Sequence, residues 1–348
     1  MTHDVERPLR DRAAFEAALP RLAVALREAS IVPEAAFPVI ERQFDAGQSN
    51  PTYLLRAGDR LIVLRKQPFG ALLPRAHDVI REYSIMKALH ARGFAVPRPL
   101  YASADRAIIG TDFFLMDYVA GAVHSDAALP SATHGERAAI YRSTASTLGR
   151  LHSLDPVILA EAGITGRGDF VSRQIDTWHK AYKATQTTDD GRIDAMADWL
   201  RGNRPADAPT AIVHGDYRIE NLIVAEGVVA AVLDWELCTI GDPRADVAHC
   251  CIWHHLPSSA FHGVADKDLP RLGIPSEQQF LEIYQAASGI EVVRTHRYFM
   301  SFAFYRLAAI LQGVFRRALD GTAASTLARK RGSLADLCLA KAELFAKS

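Results

Sequence analysis

A short polar segment lies between two apolar runs in the second half of the chain, and its residue types could carry out phosphoryl transfer. Asp216 and Asn221 lie in this segment, which follows Val213, and a later apolar run, 228–233, leads directly into Asp234. Loops on a rigid scaffold often present catalytic groups. Phosphoryl transfer needs a carboxylate that accepts or orients a hydroxyl proton and oxygen atoms that hold Mg²⁺ against the phosphates, and these residues supply both.

The spacing of these residues resembles that of known kinases. Asp216 and Asn221 have the separation of the base and the metal ligand in the H-R-D-x-x-x-x-N loop, and Asp234 stands where the Asp of D-F-G stands. Taken together and in order, the motifs resemble the aminoglycoside phosphotransferase (APH)-type kinase family over about residues 35–320. The motifs that carry the resemblance are His214-Gly215-Asp216 with Asn221, Asp234-Trp235-Glu236, and Gly241-Asp242-Pro243-Arg244-Ala245-Asp246-Val247-Ala248.

The resemblance implies a role for each acid. Asp216 is expected to be the catalytic base, Asn221 and Asp234 are expected to bind Mg²⁺, and Asp246 is expected to brace the loop from the following helix. Trp-Glu after Asp234 departs from the Phe-Gly of kinases. The alternative is a hairpin whose acids only cap turns.

Arg218 lies two positions after Asp216. A cation there could offset charge on the transferred phosphoryl group, so we count Arg218 with Asp216 as a catalytic candidate. The alternative is a surface arginine paired with Glu220.

Nucleotide binding is expected in the β-rich first part of the chain. The segment 44–51 contains a single glycine and lacks the G-x-G-x-x-G pattern, but its backbone amides could approach a phosphate. The candidates there are Gly47, Ser49 and Asn50.

A cation that contacts the α- and β-phosphates is expected in the run 60–66. Lys66 would be the usual kinase choice, but the resemblance favours Arg65, with Glu82 as its partner on the next helix. Alternation along a strand would then direct Lys66 to the opposite face. The segment 116–119 is expected to be the hinge, where backbone groups of Asp117 and Val119 could bind the adenine edge.

The predicted elements form an α+β, protein-kinase-like bilobal fold with a cleft between its lobes. We predict an N-terminal helical extension over 1–36, a nucleotide-binding N-lobe over 37–119 and a catalytic C-lobe over 120–348. Pro20 should mark a break or a restart in the first helix. Strands are predicted at 38–44, 52–56, 60–66, 101–103, 113–119, 211–213, 222–224 and 228–233, and helices at 11–29, 75–92, 131–153, 168–186, 191–202, 276–287, 296–318 and from about 325.

Composition argues against several classes of protein. The 348 residues contain 40 Lys+Arg and 40 Asp+Glu, so a basic nucleic-acid-binding surface is not expected. The N-terminal segment 1–12 is charged and lacks the apolar region of an export signal, and the four cysteines show no disulfide framework, which favours a reduced, cytoplasmic protein. The apolar stretch 298–315 approaches membrane-span length, but we interpret it as a buried helix.

We assign a structural and not a functional role to a cysteine–histidine motif and to one further histidine. Cys250-Cys251-x-x-His254-His255 has metal-binding residue types, but it continues a helix and is interpreted as packing. His152 is interpreted as a hydrogen-bonded core histidine.

The acceptor is the least determined feature. Acidic and basic residues are nearly balanced after residue 211, whereas polycationic aminoglycosides need acidic pockets. The segments 47–53, 214–221 and 304–310, with 312–313, resemble the kinase-like domain fused to, or encoded near, acyl-CoA dehydrogenases, which implies a hydroxyacyl-CoA acceptor and a possible dehydrogenase partner. Arg306 is expected to pair with an acid or to meet a ligand anion. The alternatives are an aminoglycoside phosphotransferase and a non-catalytic pseudokinase partner of a dehydrogenase.

Overall fold

The computed structural model describes residues 3–44, 50–69, 77–160, 162–166, 168–188, 191–320 and 326–347. The chain divides into two compact units, one comprising 1–121 with 230–236 and the other comprising 122–229 with 237–348. The first is built on a sheet and the second is mainly helical. The predicted α+β class, with a β-rich part and a helical part, is therefore confirmed.

The first unit contains an antiparallel sheet in the order β1-β2-β3-β5-β4. Its turn between β2 and β3 uses Gly58 at φ +62°, a conformation that glycine adopts without strain. Alternating side chains give the sheet two apolar faces. The strands of the unit are β1 (Pro38–Phe44), β2 (Thr52–Ala57), β3 (Arg60–Lys66), β4 (Pro99–Ser103) and β5 (Phe113–Asp117).

Helix α1 (His3–Glu28) covers one face of this sheet. Phe15 packs on Tyr53 with ring centroids 4.6 Å apart. The predicted break at Pro20 is wrong, because the helix continues through this residue. A proline inside a helix costs about 3 kcal/mol. The burial of apolar α1 side chains such as Leu22 and Leu26 against the sheet offsets that cost.

Helix α2 (Val79–His90) follows the central strands and contributes to the opposite face, where Tyr83 lies against Phe114. Asp78 caps its first turn by accepting a hydrogen bond from the backbone N–H of Arg81. A one-turn helix, α3 (Arg106–Ile109), was not predicted.

Helix α10 is central to the second unit and packs against α5, α7 and α11. It is long and apolar enough to span a membrane, but 67% of its most apolar window is buried inside the protein. The apolar stretch 298–315 is thus a core helix in this structure. The helices of the unit are α4 (His134–His152), α5 (Phe170–Thr185), α6 (Arg192–Gly202), α7 (Arg244–Cys251), α8 (Leu269–Leu272), α9 (Glu277–Ser288), α10 (His296–Leu319) and α11 (Thr326–Lys347).

Four short strands frame the polar segment singled out in the sequence. They are β6 (Ala211–Val213), β7 (Leu222–Ala225), β8 (Val228–Val232) and β9 (Thr239–Gly241). β7 pairs with β8 as expected for a hairpin, but β6 pairs with β9, which was not predicted. The loop that carries Asp216 therefore begins at a strand held by a partner distant in sequence.

Candidate active site

The β6–β7 loop (residues 214–221) requires glycine at its second position. Gly215 has φ +87°, and a Cβ there would lie 2.8 Å from both the Cβ and the carbonyl oxygen of Leu237. Both the conformation and the space exclude a side chain. The motif therefore contains glycine for a steric reason, and the resulting turn leads directly into Asp216.

Asp246 anchors this loop through its backbone. Its carboxylate accepts hydrogen bonds from the backbone N–H groups of His214 at 2.6 Å and Gly215 at 2.9 Å. His152 Nε2 lies 3.3 Å from the same carboxylate, and its Nδ1 lies 2.7 Å from the hydroxyl of Tyr284. Burial alone would raise the pKa of Asp246, but the hydrogen bond with His152 and nearby groups lower it. The bracing contact that the resemblance implies is present, and His152 is the core histidine that the sequence suggested.

Asp216 is held at both carboxylate oxygens. The Asn221 side-chain amide donates to Asp216 Oδ2 at 3.0 Å and to its backbone carbonyl at 2.9 Å. His249 Nε2 lies 3.1 Å from Asp216 Oδ1. Burial opposes ionisation, but the hydrogen bond with His249 and the positive charge of Arg218 hold the pKa of Asp216 below its usual range. The residue is thus an oriented carboxylate.

His249 was missed in the sequence. It lies on α7, three residues after Asp246, so the two side chains project from neighbouring positions on one helix face. That spacing is the signal that could have identified His249 once Asp246 was assigned to the loop.

Arg306 contacts the loop in a way that the sequence did not predict. Its Nη2 donates to the carbonyl oxygen of Gly215 at 2.6 Å, and its guanidinium lies 5.3 Å from the ring centre of Trp178. Of the two predicted partners, the acid is replaced by a backbone carbonyl among the described residues, and the ligand anion stays a prediction. Asp246 accepts hydrogen bonds from two backbone N–H groups of the loop, and Arg306 donates one to a backbone carbonyl. The loop backbone is therefore held through both its donor and its acceptor groups.

Arg218 occupies a position compatible with both of its predicted interpretations. Its Nε lies 3.1 Å from Glu220 Oε2 and 3.6 Å from Asp216 Oδ2. The side chain is about one-third exposed. Glu220 thus holds a cation beside the Asp216 carboxylate.

Three charged residues form a separate group in the first unit, here called the Arg65 cluster: Arg65, Glu82 and Asp234. Arg65 Nε lies 2.9 Å from Glu82 Oε2, and Arg65 Nη2 donates to Asp234 Oδ1 at 2.9 Å. Glu82 is almost fully buried, and this burial raises its pKa to about 7 although the guanidinium opposes the shift. When both carboxyl groups are ionised, two carboxylates share one cation and the cluster has an acidic surplus.

Asp234 has a strained backbone conformation. Its φ is +64°, which is uncommon for a residue other than glycine, and such strain concentrates at functional sites. The buried Trp235 fixes this turn, because its Nε1 donates to the carbonyl of Val232 at 3.0 Å and its ring packs edge-on against Phe94. The tryptophan that replaces the kinase phenylalanine therefore packs in the core.

Lys66 does not join the Arg65 cluster. It is fully buried, its Nζ donates to the carbonyl of Gln67 at 3.1 Å, and it lies 3.8 Å from the centre of the Phe69 ring. Strand alternation places it on the opposite face from Arg65, as the sequence suggested.

The remaining nucleotide-binding candidates divide between described and undescribed residues. Gly47 and Ser49 lie outside the described residues. Asn50 is buried; its Oδ1 lies 3.1 Å from His77 Nδ1, and its Nδ2 lacks a hydrogen-bond partner among the described residues. A buried amide donor of this kind suits a phosphate oxygen.

The hinge candidates lie at the end of β5. The Asp117 carboxylate pairs with Arg60 at 2.9 Å and Arg98 at 2.6 Å, and its backbone N–H donates to the Arg98 carbonyl. Val119 follows the strand and is half-buried. Because the Asp117 N–H is already used, its carbonyl is the backbone group that it can offer to a ligand.

Comparison with known proteins assigns this arrangement to a broad class. The sequence model of the phosphotransferase enzyme family (APH) matches residues 41–312. The crystal structure of a Ralstonia eutropha protein, provisionally named an aminoglycoside phosphotransferase, superposes with a TM-score of 0.83 at 33% identity, covering 94% of this chain and 98% of that protein. A thermostable mutant of aminoglycoside phosphotransferase APH(4)-Ia, solved with AMP-PNP and hygromycin B, shares the fold at 16% identity, a TM-score of 0.56 and coverage of 89% and 94%.

The curated relatives are longer proteins. Mouse acyl-CoA dehydrogenase family member 10 is 43% identical over 298 residues, which cover 84% of this chain and 28% of that protein. Human acyl-CoA dehydrogenase family member 11 is 37% identical over 287 residues, which cover 81% of this chain and 37% of that protein. The chain thus spans only about a third of the length of these relatives.

Proposed function

Because this chain belongs to the phosphotransferase enzyme family (APH), we propose that it transfers the γ-phosphoryl group of ATP to a hydroxyl group of a small molecule. The observation that carries this proposal is the Asp216 carboxylate, oriented by Asn221 and His249 on a loop whose backbone is held by Asp246. Such an array is suited to accept a proton from a hydroxyl group.

In the proposed reaction the acceptor oxygen attacks the γ-phosphorus. The new O–P bond forms as the bond between that phosphorus and the departing ADP oxygen breaks, and Asp216 takes the hydroxyl proton. The depressed pKa of Asp216 keeps it ionised and therefore able to accept a hydrogen bond from the acceptor hydroxyl. Arg218 would offset negative charge on the transferred group, with Glu220 fixing its position.

Asn221 and Asp234 fit the role of Mg²⁺ ligands. The Asn221 amide nitrogen makes both hydrogen bonds to Asp216, so its amide oxygen is the atom left to face a cation. The acidic surplus of the Arg65 cluster suits a cation near Asp234. Carboxylate and amide oxygens are ligands that Mg²⁺ prefers, and the ion, when bound, would neutralise charge on the β- and γ-phosphates.

The other candidates are assigned to the nucleotide. We assign Arg65, held by Glu82, to the α- and β-phosphates. Asn50 contributes its unpartnered amide to the phosphates together with Gly47 and Ser49. Backbone groups of Asp117 and Val119 are assigned to the adenine edge.

The acceptor is proposed to be a hydroxyacyl-CoA. The near-balance of charge after residue 211 supports an anionic acceptor better than a polycationic one. The longer relatives are named as acyl-CoA dehydrogenase family members, which supports an acceptor of the acyl-CoA class. We also propose a dehydrogenase as a partner of this chain, in a reduced, cytoplasmic compartment.

A comparison of acceptors tests this proposal. Product formation from Mg·ATP should be measured with hydroxyacyl-CoAs of varied chain length and hydroxyl position, and with kanamycin. We expect turnover with at least one hydroxyacyl-CoA and little with kanamycin. Efficient phosphorylation of kanamycin alone would show an aminoglycoside phosphotransferase, whereas Mg·ATP binding without transfer to any acceptor would indicate a pseudokinase.

A further inference from the structure

Four side chains of metal-binding types meet in the second unit, among residues that have no role in the proposed reaction. One ligand atom from each of Cys251, Glu277 and His296 lies within 4.8 Å of the other two. His255 lies outside this group and contacts it through Glu277, because its Nε2 lies 2.9 Å from Glu277 Oε1, as does the Nε2 of His296.

These side chains come from three segments that are distant in the sequence. Cys251 is the last residue of α7, and His255 closes the single 3₁₀ turn that follows. Glu277 and His296 are the first residues of α9 and α10. Each ligand position is therefore placed at the end of a helix or turn, where the backbone is fixed by packing.

The motif of adjacent cysteines and histidines is divided by the structure. Cys251 and His255 face Glu277, whereas His254 Nε2 lies 3.2 Å from the carbonyl oxygen of Pro275 and packs against other aromatic rings. Cys250 is buried but does not join the ligand atoms grouped around Cys251. Packing, the interpretation drawn from the sequence, accounts for Cys250 and His254, and the His255 ring also packs edge-on against an aromatic ring.

We propose that Cys251, His255, Glu277 and His296 bind one zinc ion. Zinc takes four ligands from thiolate, imidazole and carboxylate groups, and sites closed by four protein ligands are structural. With bonds of about 2.0–2.3 Å, tetrahedral ligand atoms lie roughly 3.5 Å apart, so the grouped atoms of Cys251, Glu277 and His296 would move closer together and the His255 ring would turn toward them. One thiolate and one carboxylate balance the charge of the ion.

Burial supports a structural role for this ion. Cys251 is fully buried, His296 is 11% exposed, and Glu277 and His255 are about one-quarter exposed. The ion would join the end of α7 to the beginnings of α9 and α10. It would be independent of the proposed Mg²⁺ ligands, and its presence does not depend on the proposed reaction.

Metal analysis of matched variants tests the site. Untagged, full-length protein from zinc-supplemented cultures should contain about one zinc per chain by mass spectrometry, in the wild type, in Cys250→Ala and in Asp234→Ala. Cys251→Ala should lose most of it. A zinc-selective chelator should lower the melting temperature of the wild type and of Cys250→Ala, but not that of Cys251→Ala.

Cobalt supplies a spectroscopic test of the thiolate. Co²⁺ added to the metal-free wild type and to Cys250→Ala should give a thiolate-to-cobalt charge-transfer band, which Cys251→Ala should lack. His296→Gln and Glu277→Gln keep Cys251 and should weaken cobalt binding at least about tenfold, so they test the site even where Cys251→Ala fails to fold. A wild type without zinc or a cobalt band would overturn the proposal and leave Glu277 as the acceptor of an ordinary histidine network. Equal loss of metal in Cys250→Ala and Cys251→Ala would overturn it as well.

Discussion

The β6–β7 loop of the second unit and the Arg65 cluster of the first unit fix their carboxylates by different means. The loop is held through its backbone, with Asp246 accepting from two N–H groups and Arg306 donating to the Gly215 carbonyl. The cluster is held by ion pairs between side chains, in which Arg65 lies between Glu82 and Asp234. The loop therefore depends on buried hydrogen bonds for its geometry, whereas the cluster depends on charge balance.

This difference predicts which changes affect folding and which affect ligands. Removing a backbone anchor leaves buried N–H groups without partners, which destabilises the fold. Removing a charge from the cluster alters its electrostatics and should change nucleotide or metal binding first. The predictions that follow use single substitutions to separate these effects.

Asp234→Ala should have the largest effect on binding. Loss of a residue that supports a metal ligand costs 10- to 100-fold in affinity, so loss of a proposed ligand should weaken Mg-dependent ATP binding by about 100-fold or more. Calorimetric titration with Mg·ATP measures this. Asp112→Ala, which removes the ion-pair partner of the exposed Arg106 in the same unit, is the control. Wild-type affinity in Asp234→Ala would remove Asp234 from the site.

Asp246→Ala should have the largest effect on stability. It leaves the N–H groups of His214 and Gly215 and the ring of His152 without their buried anionic partner. The expected loss is about 3–5 kcal/mol in the free energy of unfolding. Chemical denaturation measures it, with the exposed Asp266→Ala as the control. A loss below about 1 kcal/mol would contradict the anchoring role.

Glu82→Gln should alter how stability varies with pH. Folding raises the pKa of the Glu82 carboxyl group from its ordinary value to about 7, so the folded state binds the proton more tightly. The contribution of this group to the free energy of unfolding is therefore present at low pH and is lost as pH rises from about 4.5 to 7. Glutamine removes this loss. The variant should therefore gain stability relative to the wild type across that window, by on the order of 3 kcal/mol, and the exposed Glu28→Gln should not.

A pH-independent difference between Glu82→Gln and the wild type would contradict this account. The same variant should weaken nucleotide binding at pH 8, where Glu82 is ionised and can orient Arg65. Arg65 would then keep its ion pair with Asp234 but lose the one with Glu82.

His249→Leu should have a smaller effect, confined to catalysis. Removing a hydrogen bond to a charged group costs about 1.5–3 kcal/mol, so kcat should fall by roughly 10- to 150-fold. Because Asp216 acts on the acceptor, Mg·ATP affinity should not change. His249→Gln places an amide donor where Nε2 lies and should restore most of the activity. Equal losses of kcat and ATP affinity in both variants would indicate a purely structural histidine.

Local signals predicted much of this molecule, and nonlocal contacts account for the rest. The alternation in β3 and the positions of β2 and β3 were readable because a strand pattern is a local property. The uninterrupted helix at Pro20 was not, because packing on the sheet overrides the local cost. The β6–β9 pairing was missed for the same reason, since it joins segments separated by a loop and a hairpin.

The candidate site follows the same division. Asp216, Asn221 and Asp234 are marked by their spacing, and the exclusion of a side chain at Gly215 explains why the motif contains glycine. Arg306 lies about ninety residues further along the chain, and nothing in its own helix indicates that it contacts the Gly215 carbonyl. Residues that hold a site through tertiary contacts are predictable only once the fold is known.

Asp216→Asn tests the central claim most directly. Asparagine keeps the size and one acceptor oxygen of the side chain but removes its ability to take a proton. The rate of phosphoryl transfer in a single turnover should fall by roughly 10²- to 10⁴-fold, while the affinity for Mg·ATP stays within about twofold of wild type. A variant that retains transfer, or one that is folded but loses nucleotide affinity and transfer in parallel, would contradict the assignment of Asp216 as the base.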